Sequence, residues 1–468
     1  MNDMRTRGRG NSIGARDIAS LVHPYTNLKV HEKEGPLVVS RGKGVYIYDD
    51  SGKEYIEGLA GLWCTSLGFS EERLIEAATR QMRQLSTYHV FAHKSHEPAI
   101  ELAERLLAIA PAPMSKVFFA NSGSEAVDSA MKLVWYYNNA LGRTQKKKII
   151  SRQRAYHGVT IAAASLTGLP ANHRDFDLPI ANVIHTECPH YYNFAEPGES
   201  EDAFTTRMAN SLEALIQREG PDTVAAFIAE PVMGAGGVLI PPKGYFAKIQ
   251  AVLKKYDVLF ICDEVICGFG RTGSMWGAQT FGIQPDMVTM AKALSSAYLP
   301  ISAVLINEKI WQAMLAASEK IGTFAHGYTY SAHPVAAAVA VETLKIYEER
   351  DLVSMVRGVA PRFQAGFQKL AAHPLVGEAQ SVGLIGAIQL VKSRQPKQAF
   401  DPKQAVAPYM AKRAQEHGLV CRALFGDRVA LCPPLIIDEG QIDEMFRRFE
   451  RALDDTAEMV REKGLAAA

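Results

Sequence analysis

From residue 116 to 306, short apolar runs alternate with longer stretches whose apolar positions recur every three or four residues. The runs at 116–119, 148–150, 223–229, 258–262, 286–290 and 301–306 predict strands, and the stretches at 125–141 and 245–256 predict amphipathic helices. Strands that alternate with helices predict an α/β fold with a mostly parallel sheet wrapped by helices. Runs that are apolar throughout, rather than alternating, fit strands covered on both faces.

The flanks read differently. Residues 45–56 pattern as a hairpin turning at Asp50-Ser-Gly52. After Pro334 come helical patterns, then short strands at 384–391, 420–422 and 429–432. We expect residues 63–334 to form a large domain. Residues 1–62 and 335–468 then form a smaller α/β domain built from both chain ends. A length of 468 residues supports more than one core. In an open parallel sheet the ligand lies beyond the carboxyl ends of the strands, which directs attention to the residues just after each run.

Composition narrows the function. A net charge of +1 gives no electrostatic reason to expect nucleic acid or an acidic membrane as partner. No segment approaches the ~20 apolar residues of a membrane span. The start is basic but is followed by no long apolar run, so a secretory signal is not expected; it reads as a frayed basic terminus, with an Arg-bearing transit peptide as the lesser alternative. Six scattered cysteines without a C-x-x-C pair suit reduced thiols in a cytoplasmic protein.

Three strand ends carry candidate chemistry. Asn121-Ser-Gly-Ser-Glu125 opens a helix, with Ser122 and Glu125 spaced as a capping box. It is either a plain capped helix or one whose free N–H groups, reached across Gly123, hold a phosphate. Asp263 and Glu264 end an apolar strand, where a carboxylate must be paired. They are a cap or salt bridge, or a partner for a cationic ring nitrogen. Lys292 follows the next strand among small and hydroxyl residues, where desolvation favours the neutral amine needed for carbonyl addition.

Together with Tyr156-His-Gly, Glu230-Pro-Val-Met-Gly-Ala-Gly-Gly, Asp263-Glu-Val-Ile-Cys-Gly-Phe-Gly-Arg-Thr-Gly, Ala291-Lys-Ala-Leu-Ser-Ser and Tyr328-Thr-Tyr-Ser-Ala-His-Pro, these segments resemble the class III pyridoxal-phosphate aminotransferases. The resemblance runs across about 400 residues in order and spacing. It implies the aspartate-aminotransferase type of fold (fold type I), a homodimer or dimer of dimers with shared active sites, and pyridoxal 5'-phosphate, alternating with pyridoxamine 5'-phosphate, as cofactor. It assigns Lys292 to the Schiff base and the proton shuttle, and Asp263 to the pyridine nitrogen. Tyr156 and Val265 would cover the two ring faces, and Glu230 would join the surrounding hydrogen bonds. Gly123 and Ser124 would hold the phosphate, with Thr329 of the neighbouring subunit.

Departures select a branch. Ornithine and γ-aminobutyrate types resemble one another in a glutamate where this chain has Ala235, and in an arginine where it has Ala430. They have a glutamine where Ile266 stands. Arg422, Trp63 in Gly-Leu-Trp-Cys, and Tyr25 in His-Pro-Tyr-Thr are instead similar to the ω-amino acid or amine:pyruvate transaminases. There the matching arginine binds the keto acid's carboxylate and swings away for an amine lacking one, which suits its long stem and planar fork. Trp63, Tyr25, Tyr88 and Phe91 would wall the pocket, ordinary core packing being the plainer reading of Tyr88 and Phe91. Ala293 and Ala297 stand where the branch often has glycine. The expected reaction moves an amino group from a primary amine or ω-amino acid to a keto acid, with pyruvate as acceptor, by ping-pong kinetics.

Rival readings are an ornithine- or γ-aminobutyrate-type enzyme using 2-oxoglutarate, a decarboxylase or racemase on the same scaffold, and a cofactor-binding regulator. Gly268-Phe-Gly270-Arg-Thr-Gly273 matches a dinucleotide fingerprint but leaves little room for its crossover helix. His89, His93 and His96 are spaced like metal ligands but lack a completing carboxylate, so they are read as rim or surface histidines and no metal is expected.

Overall fold

The structure is a computed structural model that describes residues 12–465. Its centre is a seven-stranded sheet in the order Lys116–Ala120, Ser302–Ile306, Met287–Met290, Leu259–Asp263, Val224–Ala229, Lys148–Arg152, Val183–Thr186. Only Ser302–Ile306 runs antiparallel to its neighbours. The mostly parallel α/β sheet expected from the alternating runs is present.

The apolar runs are explained by what lies on each face. Phe227, Phe260, Val288 and Leu305 belong to one buried cluster, while Ile228, Ile261, Met287 and Val304 belong to another. Adjacent residues thus enter opposite cores, as the two-residue period of a strand requires. The helix Gly123–Ala140 covers the second face with Val127, Ala130, Met131 and Val134. Tyr245–Lys255 and Glu201–Glu219 supply the first with Phe246, Ile249, Phe204 and Leu212.

Both chain ends meet in a second sheet, where Leu419–Val420 pairs in parallel with Glu54–Glu57 beside the hairpin Tyr46–Asp49. A third sheet has the order Val376–Val382, Ile385–Leu390, Arg428–Leu431, Arg422–Leu424. Two elements differ from expectation. The single strand expected at 420–422 is split at Cys421, because Val420 serves the second sheet and Arg422 the third. Val376–Val382 falls among residues expected to be helical; it is an edge strand with half-buried Glu378, Gln380 and Ser381.

Candidate active site

Five loops at the carboxyl ends of the central strands converge on a cavity of about 450 Å³. Gly123 and Ser124 enter after Ala120, Tyr156 after Arg152, and Glu230 directly after Ala229. Asp263 closes its strand, and Lys292 follows Met290. This is the crevice that a parallel sheet presents to ligands.

The Ser122 hydroxyl accepts from the Glu125 N–H at 3.2 Å and caps the helix. Glu125 reaches one residue beyond the expected box, to the Asn121 N–H at 2.7 Å. A methyl group on Gly123 would press to 3.1 Å from Val265, and one on Gly158 to 2.5 Å from the Ser124 hydroxyl oxygen. Gly158 has room for no other residue, and a side chain at Gly123 would require Val265 to give way. The free N–H groups at the start of so long a helix suit an anion.

The paired carboxylates part ways. Glu264 turns inward and accepts the Ala278 and Gly277 N–H groups at 2.6 and 3.0 Å, so it is a helix cap. Burial pushes its carboxyl up to about 7. Asp263 lines the cavity and is held by His157, with Nδ1 2.6 Å from Oδ2. The Val265 N–H donates to its other oxygen at 3.1 Å. His157 was visible in the sequence only as part of Tyr-His-Gly; the 106 residues separating it from Asp263 hide the pair. Glu230 accepts the Tyr156 and Gly234 N–H groups, both at 3.0 Å, and burial raises its pKa.

Lys292 is half-buried and stands in left-handed backbone, φ 48°. That conformation costs a β-carbon-bearing residue roughly 1–2 kcal/mol and is characteristic of functional positions. Burial lowers its pKa, against the opposing pull of Cys64, Asp263 and Glu230. The ammonium is thereby biased toward the neutral amine.

Arg422 enters the cavity from the strand paired with Arg428–Leu431. The turn beyond it is fastened by Arg154, whose Nη2 donates to the Phe425 carbonyl at 3.1 Å. Among the described residues no carboxylate offsets the Arg422 guanidinium; burial lowers its pKa and the Tyr156 and Tyr25 hydroxyls oppose that. Burial, then Tyr25, raises the pKa of the Tyr156 phenol. The Tyr25 hydroxyl accepts from Asn172 at 2.6 Å. Trp63, Ala235, Ile266 and Leu424 give the cavity an apolar wall.

Three expected residues lie elsewhere on the single chain. Tyr88, Phe91 and Thr329 are exposed and do not line this cavity. Tyr88 stacks on His89 at 4.8 Å, and the Phe91 ring lies against Gly327, two residues from Thr329. His96 caps the helix Glu97–Ala108 through Nδ1, and the histidines at 89–96 form no ligand set among the described residues. After Gly268 the chain makes turns and then only the short helix Gly277–Phe281, which leaves no crossover helix for a dinucleotide.

A glycine-lined helix start for a phosphate, a buried aspartate for a cationic ring and a desolvated lysine on a parallel sheet fit pyridoxal phosphate, and they define a fold type I enzyme of that cofactor. The model of the class III aminotransferase family matches residues 28–453, and the chain belongs to that family. γ-Aminobutyrate transaminase 3, chloroplastic, of Solanum lycopersicum is 49% identical over 458 residues, 97% of this chain and 88% of that protein. Vanillin aminotransferase of Capsicum annuum is 51% identical over 428 residues, 91% of this chain and 93% of that one. The crystal structure of a thermostable ω-transaminase 4-fold mutant from Pseudomonas jessenii matches with a TM-score of 0.94 at 55% identity, covering 96% of this chain and 99% of that one. The ω-transaminase of Pseudomonas jessenii in complex with PMP matches with the same TM-score at 54% identity and the same coverage. Pyridoxal phosphate is the cofactor, and the reaction class is amino-group transfer.

Proposed function

We propose that this enzyme transfers the amino group of a primary amine or ω-amino acid to pyruvate in preference to 2-oxoglutarate. The observation that carries the reading is Arg422, a half-buried guanidinium in the cavity with no carboxylate partner among the described residues. It supplies a site for one planar carboxylate. Ala235 and Ile266 place methyl and apolar surface where a glutamate and glutamine would favour a second charged group. The names of the relatives span γ-aminobutyrate and vanillin, a range that suits one carboxylate site beside an apolar wall.

The residues divide the work. Gly123 and Ser124 would hold the cofactor's phosphate, and Tyr156 and Val265 its ring. Asp263, oriented by His157, would keep the ring nitrogen protonated, and Glu230 holds the loop that presents Tyr156. Bound pyridoxal phosphate supplies an electrophilic aldehyde and an electron-withdrawing ring that stabilises negative charge on the donor's Cα. The Lys292 Nζ, biased toward its neutral form by burial, would take the donor's Cα proton and return it, on the same face, to the carbon on the other side of the transferred nitrogen, acting as base and then acid. Trp63 and Tyr25 exclude water from the donor's apolar end. Arg422 engages the keto acid's carboxylate in the second half-reaction.

The reading includes a homodimer, or a dimer of dimers, with the partner's copy of the Tyr88, Phe91 and Thr329 surface completing the site; their grouping outside this chain's own cavity supports it. Residence in a reducing compartment, the cytoplasm, completes the proposal and is checked by fractionating the source cells.

A panel of amine donors with pyruvate and with 2-oxoglutarate, both products followed, tests the assignment. Turnover of simple amines and ω-amino acids with pyruvate is expected. Turnover of ornithine with 2-oxoglutarate, and none with pyruvate, overturns it. Borohydride reduction and peptide mapping should place the cofactor on Lys292.

A further inference from the structure

The N-terminal segment brings three metal-ligand side chains to one point, outside the cavity. Asp17 lies on the helix Ile13–Ser20, His31 on the helix Leu28–Glu34, and His23 in the connection between them. Asp17 Oδ1 is 2.8 Å from His23 Nε2 and 3.0 Å from His31 Nε2. The three ligand atoms lie within 4.8 Å of one another, the only such group among the described residues. The two imidazole rings pack at a centroid distance of 4.0 Å.

The spacing can be compared with what a metal requires. Zinc holds imidazole nitrogen and carboxylate oxygen at about 2.0–2.2 Å, so tetrahedral ligand atoms stand about 3.3 Å apart. The two separations from Asp17 need to open by about 0.3–0.5 Å, and the two Nε2 atoms lie within 4.8 Å of each other. Two imidazoles and one carboxylate suit a borderline divalent ion, and three protein ligands leave a fourth position for water. That position has access, because the His23 side chain retains 24% of its exposure and Asp17 17%.

We propose that Asp17, His23 and His31 bind a single divalent transition-metal ion of the Zn²⁺ type, which fastens the segment carrying Tyr25. Binding takes the Nε2 lone pair of each imidazole, so the Nε2 protons now shared with Asp17 must leave. Each neutral ring then carries its one proton on Nδ1, and metal bonds replace the hydrogen bonds to Asp17. Tyr25 sits between the two histidines in sequence, in left-handed backbone at φ 51°, and reaches into the active-site cavity. An ion across His23 and His31 closes the chain on both sides of it.

Tag-free holoenzyme, freed of metal by a chelator, is titrated with Zn²⁺ by calorimetry and with Co²⁺ by visible spectroscopy. Wild type, Asp17→Asn and His31→Gln are compared. One Zn²⁺ per chain is expected in the wild type, with binding at least about a hundredfold weaker in either variant and the tetrahedral Co²⁺ bands lost. A wild-type protein that takes up no stoichiometric ion overturns the proposal whether or not the variants fold. So do folded variants that bind within about twofold of wild type. The group is then a carboxylate hydrogen-bonded by two imidazoles.

Discussion

Arg422 and Ala430 are direct partners on adjacent antiparallel strands. Side chains so paired leave the same face of their sheet. Ala430 is one of the positions at which the sequence departs from the ornithine and γ-aminobutyrate types, which resemble one another in an arginine there. Here that position is a fully buried methyl, and the guanidinium comes from the other end of the same rung. The strand that carries Arg422 also decides which side chains stand beside the cation. Arg422 is accompanied by Ala423, Leu424 and Phe425 along the cavity.

Arg422→Ala should therefore separate the two half-reactions. A hydrogen-bonded charge pair is worth about 1.5–3 kcal/mol, so kcat/KM for pyruvate should fall roughly tenfold to a hundredfold or more. An amine without a carboxylate should lose less than about threefold. Single-turnover measurements of each half-reaction decide the matter. Equal losses on both sides would remove Arg422 from the carboxylate role.

The hydrogen bond from His157 to Asp263 predicts a different pattern. His157→Phe leaves the carboxylate without its 2.6 Å partner, and losing a hydrogen bond to an ionised group costs about 1.5–3 kcal/mol. Both half-reactions should slow together, by about tenfold or more, and the cofactor should be lost more readily on dialysis. His157→Gln, which keeps an N–H donor, should recover part of both. A variant with unchanged cofactor retention and unchanged rates would make His157 a packing residue.

The central sheet was legible because each strand is covered on both faces, which forces continuous apolar runs such as Val224–Ala229. Val183–Thr186 escaped notice because it is short and closes the edge of the sheet with two half-buried positions. Lys292 and Gly123 could be found because each follows a recognisable strand by two or three residues, and Asp263 because it ends one. Pairings were not legible. His157 meets Asp263, and Asp17 meets His31, only after the chain has folded back on itself. Glu264 and Asp263 are adjacent in sequence, yet the pleat sends them to opposite fates, which no local pattern distinguishes.

Ala297 offers a test of the lysine loop. It is exposed and left-handed, φ 60°, where the branch often has glycine. A β-carbon in that conformation costs roughly 1–2 kcal/mol, while glycine's extra freedom in the unfolded chain costs about 0.4–1 kcal/mol. Strain is the larger effect, so Ala297→Gly should stabilise the enzyme by about 0.5–1 kcal/mol. Denaturation midpoints of the holoenzyme check this. A lower midpoint would mean that the methyl makes a stabilising contact in the assembled enzyme.

Glu57 gives the fold a pH dependence that can be isolated. Its carboxylate accepts the Leu59 N–H at 2.9 Å and braces the left-handed loop Ala60, Gly61 and Trp63 that sets the indole in the cavity. Burial raises its pKa to about 7 from an ordinary 4.5. The folded state therefore binds a proton more tightly than the unfolded chain. The resulting stability is complete below about pH 4.5 and is lost as the pH rises through about 7. A shift of this size corresponds to an effect on the order of 3 kcal/mol. Glu57→Gln keeps an acceptor for the Leu59 N–H but cannot ionise. Relative to wild type, the variant should gain stability between about pH 5 and pH 8, read as a growing difference in melting temperature. A difference that stays constant over that range would show that Glu57 remains ionised in the folded protein.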